Sequence, residues 1–393
     1  MTEQTQLAWD IIETTNTNLF LTGKAGTGKT TFLRRLKEES SKRIVVVAPT
    51  GIAAINAEGV TIHSFFQLSF APFIPNYNLK EQQFRFSKQK INVIRSIDTL
   101  VIDEISMVRA DLLDAVDSVL RRFRKNNLPF GGVQMVMIGD LGQLAPVAKD
   151  DEWQMLSRYY ATPYFFSSLA LQRTRYAIVE LTKVYRQSDK RFLDILNKVR
   201  ENRADAAVLS ALNSRYIPDF KPRKEDGYIR LTTHNWQAQR INDHELELLP
   251  GKPYTYTATI EGKYPEMLFP TDETLTLKTG AQVMFVKNDS SADKAYYNGM
   301  IGTIAAIDAE GFTVTAKDTG ENIRVQPEQW DNTRYVIDER TNEITEEVDG
   351  TFRQYPVKLA WAITVHKSQG LTFDHAVIDV QRAFTHGQTY VAL

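Results

Sequence analysis

The chain of 393 residues is 42% hydrophobic and 24% charged. At about 150 residues per domain that suits two or three well-filled cores, and it excludes a single small module, a disordered chain and a fibrous repeat. Lys and Arg number 47 against 48 for Asp and Glu, a formal net charge of −1, so affinity for a polyanion has to come from local basic surface.

There is no cysteine for disulfides or thiolate metal sites, and no run approaches the roughly 18 apolar residues of a membrane helix. The start, Met1-Thr2-Glu3-Gln4-Thr5-Gln6, lacks the basic and apolar regions of a secretory signal. A cytoplasmic, or more generally intracellular, protein with no membrane partner is expected.

In chain order, Leu19-Phe20-Leu21 predicts a strand, Thr30 to Lys37 a helix and Ile44-Val45-Val46-Val47 a second strand, with a Gly-rich turn after the first. From Phe65 to Arg95 the pattern is irregular: Phe66, Phe70, Phe73, Tyr77, Phe84 and Phe86 are interspersed with Lys80, Arg85, Lys88 and Lys90, as in a small insertion. Thr99 to Ile102 and Val133 to Ile138 are nearly continuous in apolar residues, the pattern of strands buried on both faces of a parallel sheet.

Between them Leu112, Leu113, Val116, Val119, Leu120 and Phe123 fall at helical spacing. The cations at the end of that helix, Arg121, Arg122, Arg124 and Lys125, either complement its dipole or meet a partner. Beyond Pro250, Tyr254 to Ile260, Thr274 to Leu277, Ala281 to Val286, Met300 to Ile307 and Phe312 to Ala316 alternate between turn residues and read as a small β domain. An acidic stretch with Asp338, Glu339, Glu343, Glu346, Glu347 and Asp349 follows, expected as a solvated hairpin or loop, and helix–strand alternation resumes from Lys358. The predicted class is α/β with a parallel sheet.

The strongest chemical signal is Gly23-Lys24-Ala25-Gly26-Thr27-Gly28-Lys29-Thr30, a complete G-x-x-x-x-G-K-[ST] set after a strand and before a helix. Glycines let several N–H groups converge on phosphate oxygens, Lys29 adds a cation near the β and γ phosphates, and the Thr30 hydroxyl suits Mg²⁺. Asp103-Glu104 ends a buried strand, where open α/β sheets place ligand-contacting groups. Asp103 is suited to the metal ion and Glu104 to orienting and deprotonating a water, although such a pair in isolation is a solvated turn. Gln143, in Gly139-Asp140-Leu141-Gly142-Gln143, is placed to sense a γ-phosphate or else to face solvent.

Taken together these residues resemble the superfamily-one DNA helicases of the Pif-type, five-prime-to-three-prime branch. The resemblance rests on the phosphate loop, Ala48 to Gly51, Gly59 to Phe65, the Ile102-Asp103-Glu104 run and Gly139 to Pro146. It continues through Val184-Tyr185-Arg186-Gln187, Thr233-His234-Asn235 and Trp361 to Gly370, and Asp111 to Val136, especially Leu128 to Gln134, is similar to the signature that separates Pif-type from RecD-type enzymes.

What it implies is an ATP- and Mg²⁺-dependent helicase that translocates on single-stranded DNA and unwinds duplex, forked or structured DNA in repair, replication or telomere maintenance, as a monomer. The implied fold is two RecA-like lobes with ATP in their cleft. The first covers 1–185, with the insertion near 65–95; the second, C-terminally incomplete, covers 186–250 and 356–393, with a β-barrel inserted at 251–355.

In that picture Gln4 reads the adenine, Gly26, Thr27, Gly28, Lys29, Thr30 and Gly370 bind ATP, and Arg186 joins Lys29, Asp103, Glu104 and Gln143 in catalysis. Pro49, Thr50, His63, Phe65, His234, Asn235, Trp236, Thr364, His366, Lys367 and Ser368 bind DNA. Phe65, Phe66, Phe73 and Tyr77 offer a stacking platform, a strand-separating wedge or a local core. The Ser-Arg with which the family's last motif continues after Gly387 to Leu393 is missing, as expected either of a truncated chain or of an ending that gives up one γ-phosphate cation. Alternatives are a RecD-type subunit of a nuclease complex, a P-loop kinase and a catalytically silent DNA-binding protein.

Overall fold

The computed structural model describes residues 2–75, 86–185, 189–223, 226–291, 294–337, 344–385 and 387–393. Tyr77, Lys80, Phe84 and Arg85 of the insertion, Arg186 and Gln187, and Asp338, Glu339 and Glu343 of the acidic stretch lie outside the described residues. The chain forms two compact units, Met1–Asp194 with Thr333–Val348, and Ile195–Asn332 with Asp349–Leu393.

In the first unit six strands, β1 (Asn18–Gly23), β2 (Ile44–Ala48), β3 (Val60–Thr61), β4 (Thr99–Ile102), β5 (Gln134–Gly139) and β6 (Tyr176–Leu181), lie in the order β3-β2-β4-β5-β1-β6, every adjacent pair parallel. Helices α1 (Glu3–Thr14), α2 (Lys29–Glu39), α3 (Gly51–Asn56), α4 (Ile62–Phe66), α5 (Lys88–Ser96) and α6 (Ala110–Arg124) accompany it.

The apolar runs are continuous because both faces are covered: Val45, Val47, Leu100, Ile102, Met135 and Met137 enter one core cluster, while Val46, Val101, Val136 and Ile138 enter another. Leu113, Val116, Val119 and Leu120 of α6 fill the first; Phe32, Leu33 and Leu36 of α2 fill the second.

The basic end of α6 is partly structural. Arg124 donates to the carbonyls of Gly131 (2.9 Å), Ile94 (3.0 Å), Arg95 (2.7 Å) and Ile97 (3.0 Å), and Arg121 pairs with Asp117 at 3.6 Å. The Leu128 to Gln134 segment closes the same end. Phe130 is fully buried and its N–H donates to Asp117 Oδ1 at 2.5 Å, while Gly131 adopts φ 61°, where a Cβ would lie 2.8 Å from the Leu120 carbonyl. The Gln134 amide accepts from Lys42 (2.9 Å) and Thr99 (3.0 Å) and donates to the carbonyls of Ile11 and Thr17.

Tyr335, from Thr333–Val348, lies in this unit's core, its hydroxyl accepting from the Val46 N–H at 3.2 Å. Of the acidic stretch, Glu346 lies 3.5 Å from Lys37 and Glu347 2.8 Å from Arg334, so these two carboxylates are paired.

The second unit holds a parallel sheet of Ala362–Thr364, Ile229–Thr232 and Ala376–Ile378. The helix Asn235–Leu248 is tied to it by Asn242, whose amide exchanges bonds of 2.8 and 2.9 Å with the Ala362 backbone. Its β strands form an antiparallel five-stranded sheet in the order Asn322–Val325, Gly311–Ala316, Ile301–Asp308, Gln282–Phe285, Val357–Leu359. Tyr254–Thr257 pairs with Thr274–Leu277. Among the described residues no helix is long and apolar enough to cross a membrane.

Candidate nucleotide and nucleic-acid sites

The phosphate loop joins β1 to α2. Gly23 has φ 154° and no room for a side chain, since a Cβ would stand 2.6 Å from the Leu181 carbonyl. Gly26 and Gly28 have φ 74° and 90°, and Gly28 caps α2, whose first-turn N–H groups have no intrahelical acceptor and so suit an anion. Thr27 is buried, its hydroxyl donating to the Lys24 carbonyl at 2.8 Å. Lys29 Nζ donates to the carbonyls of Gly23 (2.6 Å) and Lys24 (3.2 Å), and Thr30 is exposed on the first turn.

Asp103 follows β4, its N–H donating to the Val47 carbonyl at 2.9 Å. Burial pushes its carboxyl up to about 6, against the Glu104 N–H and the charge of Lys29, which both hold it down. A half-buried carboxylate within the field of Lys29 is a donor suited to a hard cation. Asp103 and Thr30 are the residues at this loop that could hold a magnesium ion together with phosphate oxygens; among the described residues there is no cluster of three His, Cys, Asp or Glu side chains that could hold a metal ion.

Glu104 has φ 50° and ψ 43°, a left-handed conformation that costs a side-chain-bearing residue about 1 kcal/mol. The turn after it, Ile105–Met107, packs against Gly139 at the end of β5, where a Cβ would lie 2.9 Å from Ile105 Cγ2. Ser106 in that turn has a buried hydroxyl without a hydrogen-bond partner among the described residues, a feature that no sequence spacing signals. Asp140 is fully buried and accepts from the Gly142 N–H at 2.9 Å; Gln143 is also buried, its amide 3.5 Å from Asp140 Oδ2. The solvent-facing alternative for Gln143 is thereby removed.

Gln4 is half-buried on α1, and Gly370 is exposed with φ 81° and room for a Cβ. Arg186 lies outside the described residues, but the preceding Tyr185 N–H donates to the Gly26 carbonyl at 2.8 Å, which puts the Val184-Tyr185 segment against the phosphate loop.

Of the residues expected to meet DNA in the first unit, Pro49 is half-buried and Thr50 is exposed, its hydroxyl capping α3 by accepting from the Ala53 N–H at 3.2 Å. His63 stacks on the exposed Phe70 with centroids 4.4 Å apart; burial holds its pKa below the usual imidazole value, with the charge of Arg109 acting the same way. Phe65 requires a correction: it is 1% exposed, edge-on to Phe66 and Tyr335, with Lys90 Nζ 3.4 Å above its ring. It is a core side chain with no face open to a base.

In the second unit His234 precedes the helix Asn235–Leu248, its Nδ1 2.8 Å from the Thr233 hydroxyl, and Asn235 and Trp236 are exposed. Thr364 is buried, its hydroxyl lacking a hydrogen-bond partner among the described residues. Ser368 is buried and donates to the Val365 carbonyl at 2.9 Å, so its hydroxyl is engaged inside the fold; Lys367 is exposed. His366 is half-buried, its pKa lowered by burial.

The structure adds two residues that the sequence left out. Phe384 lies 6.0 Å from His366, near-parallel at 17°, and 5.0 Å from His234; Arg382 sits 5.8 Å from the Trp236 ring centroid. Neither belongs to a spaced motif, and only folding brings Phe384 to the histidines and Arg382 to Trp236.

The sequence profile of the PIF1-like helicase family matches residues 2–208. The chain is 35% identical over 445 residues to the ATP-dependent DNA helicase Pif1 of Psychrobacter sp. (strain PRwf-1), with 98% of this chain covered; it spans 65% of that relative's length. It superposes on the structure of Bacteroides sp Pif1 in complex with ADP-AlF4 with a TM-score of 0.90 and 43% identity, covering 100% of this chain and 89% of that one. On Bacteroides Pif1 in complex with ADP-AlF3 and ssDNA the TM-score is 0.70 at the same identity and coverage. A profile match over more than half its length, together with this structural likeness, makes the chain a member of the PIF1-like helicase family.

Proposed function

We propose that this chain is an ATP-dependent, five-prime-to-three-prime DNA helicase that translocates on single-stranded DNA and unwinds duplex, forked or structured DNA in repair, replication or telomere maintenance. The observation that carries this reading is the convergence at one edge of the parallel sheet: Lys29 follows β1, Asp103 and Glu104 follow β4, Gln143 follows β5, and Asp103 feels the charge of Lys29. The family relationship supports the substrate, since the Bacteroides relative is seen with a nucleotide analogue and single-stranded DNA.

In this reading the phosphate loop and Thr27 hold the triphosphate, Gln4 reads the base, and Gly370 borders the nucleotide. Lys29 leaves its two carbonyl acceptors for the β and γ phosphates and, with Arg186, offsets charge developing on the transferred group. Glu104 orients a water and takes its proton; Gln143 hydrogen-bonds the γ-phosphate and registers its loss. Magnesium, held by Thr30 and Asp103, would neutralise phosphate charge. Motion follows if the grip on the strand differs between nucleotide states. The residues in that role are Thr50 and His63 in one unit, and His234, Asn235, Trp236, Thr364, His366 and Lys367 in the other. We propose further that 251–355 works as an inserted β-barrel of the second RecA-like lobe.

Titrating ATP turnover with single-stranded DNA, RNA and duplex DNA tests the assignment. A steep rise with single-stranded DNA is expected; turnover that ignores DNA removes the motor, and phosphate transfer to a small acceptor in place of water makes the protein a kinase.

A further inference from the structure

Half-buried arginines of the first unit are matched to partners: Arg109 to Asp111 and Glu152, Arg43 to Asp98, and Arg124 to four carbonyls. In the second unit Arg230 is also half-buried, yet its guanidinium has no hydrogen-bond or ion-pair partner among the described residues. It lies on the strand Ile229–Thr232 between Ile229 and Leu231, which enter the core on one face of the sheet. Alternation along the strand turns Arg230 out of the other face, into a cleft of about 1130 Å³. Its register partner Val377 lines the same cleft, as do Phe220 and Tyr228. The helix Asn235–Leu248 adds Arg240, then Asp243 and Glu247 towards its C-terminal end, and Lys221 adds another cation.

A guanidinium drawn partly out of water and left unpaired costs free energy that an anionic partner recovers. Asp243 and Glu247 share the cleft without pairing with Arg230, so the cleft is arranged for an anion that a ligand brings. Those two carboxylates also limit what the ligand is. They oppose a nucleic-acid strand, whose charge recurs at every residue, and accept a ligand whose charge is gathered at one end. From residue 236 to 247 the helical wall runs about 16 Å, the reach of about five extended residues. Phe220 meets Tyr228 edge-on at 5.1 Å, and with Val377 these rings form an apolar corner that matches an aromatic side chain.

We propose that this cleft is a docking site for an unstructured acidic segment of a partner protein that carries an aromatic residue. The segment's carboxylates pair with Arg230, Arg240 and Lys221, and its ring fills the corner of Phe220, Tyr228 and Val377. The site goes beyond the motor reading, since none of these six residues is assigned to ATP or DNA.

The test is fluorescence anisotropy of the 393-residue chain with a fluorescein-labelled peptide of four aspartates followed by phenylalanine. Two comparison peptides carry four lysines followed by phenylalanine, and five aspartates. The acidic aromatic peptide should bind about tenfold more tightly than either. Arg230→Gln should weaken it about tenfold and leave oligothymidylate binding unchanged. Arg230→Glu should shift the preference to the lysine peptide. Arg240→Glu, at an exposed helix position, should also weaken the acidic peptide and keeps the test open should the strand variants fold poorly.

No binding of the acidic aromatic peptide, equal binding of the lysine peptide, or affinity that all three variants leave unchanged overturns the site. Displacement of the peptide by oligothymidylate makes the cleft part of a strand path and overturns it too. Dimerisation that Arg230→Glu abolishes, with no peptide bound, gives the cleft to a second copy of the chain and likewise overturns it. None of these outcomes touches the helicase assignment, which the ATP titration tests by itself.

Discussion

The phosphate cradle of the first unit and the histidine-and-ring cluster of the second solve the problem of holding a polyanionic ligand in opposite ways. The cradle is made of backbone: one loop at the edge of a continuous parallel sheet, its shape set by glycines at φ 74° and 90° and by Gly23, where a Cβ would lie 2.6 Å from a carbonyl. The cluster is made of side chains from three segments far apart in the chain, around residues 234–236, 366 and 382–384, each reaching water. A ligand of fixed shape, such as a triphosphate, rewards rigid donors. A strand that has to move past the protein rewards faces that grip any base equally and release it.

The largest test of this contrast is Lys29→Ala, which should lower ATP turnover at least a hundredfold while leaving single-strand binding within about twofold of wild type by anisotropy. Parallel loss of both would show the two regions are not separable. Next, the same glycine-to-alanine change should differ sharply between sites. Gly131→Ala, where φ is 61° and a Cβ would sit 2.8 Å from the Leu120 carbonyl, should cost about 2–3 kcal/mol of unfolding free energy in urea. Gly370→Ala, with φ 81° and room for a Cβ, should cost about 1 kcal/mol.

Trp236→Ala should weaken oligothymidylate binding by about tenfold with no change in nucleotide affinity; a nucleotide defect would move the indole out of the strand site.

The smallest effect concerns a buried cation–ring pair set against the exposed Arg382–Trp236 one. Burial lowers Lys90, over Phe65, to about 7 from its ordinary 10.5. Between those values the unfolded chain binds more protons than the folded one, so stability from this site rises as pH climbs from about 7 towards 10. Lys90→Met should therefore raise Tm by about 2–4 °C at pH 6, with the gain shrinking by pH 9; a pH-independent gain would assign the effect to packing alone.

Legibility in the sequence followed the same divide. The β1–loop–α2 unit, the strands around Val101 and Val136 and the acidic pair Asp103-Glu104 could be read because their chemistry is contiguous and their periodicity is enforced by burial on both sheet faces. Phe65 belongs to the Gly59 to Phe65 motif, and an aromatic at the end of such a motif looks the same in sequence whether it meets a strand or a core; the edge contacts with Phe66 and Tyr335 decide for the core. The Leu128 to Gln134 signature was legible as a family mark but not as a clamp, since its partners Asp117 and Arg124 sit on α6. Phe384 and Arg382 carried no signal, as nothing in their spacing announces His366 or Trp236.

The bond from the Tyr185 N–H to the Gly26 carbonyl runs from main chain to main chain. Changing the tyrosine side chain leaves it in place; at position 185 only proline deletes the donor. That bond is thus indifferent to side-chain identity and Tyr185→Pro is expected to delete it, while the Tyr185 ring borders the loop separately, 3.8 Å from where a Gly28 Cβ would stand.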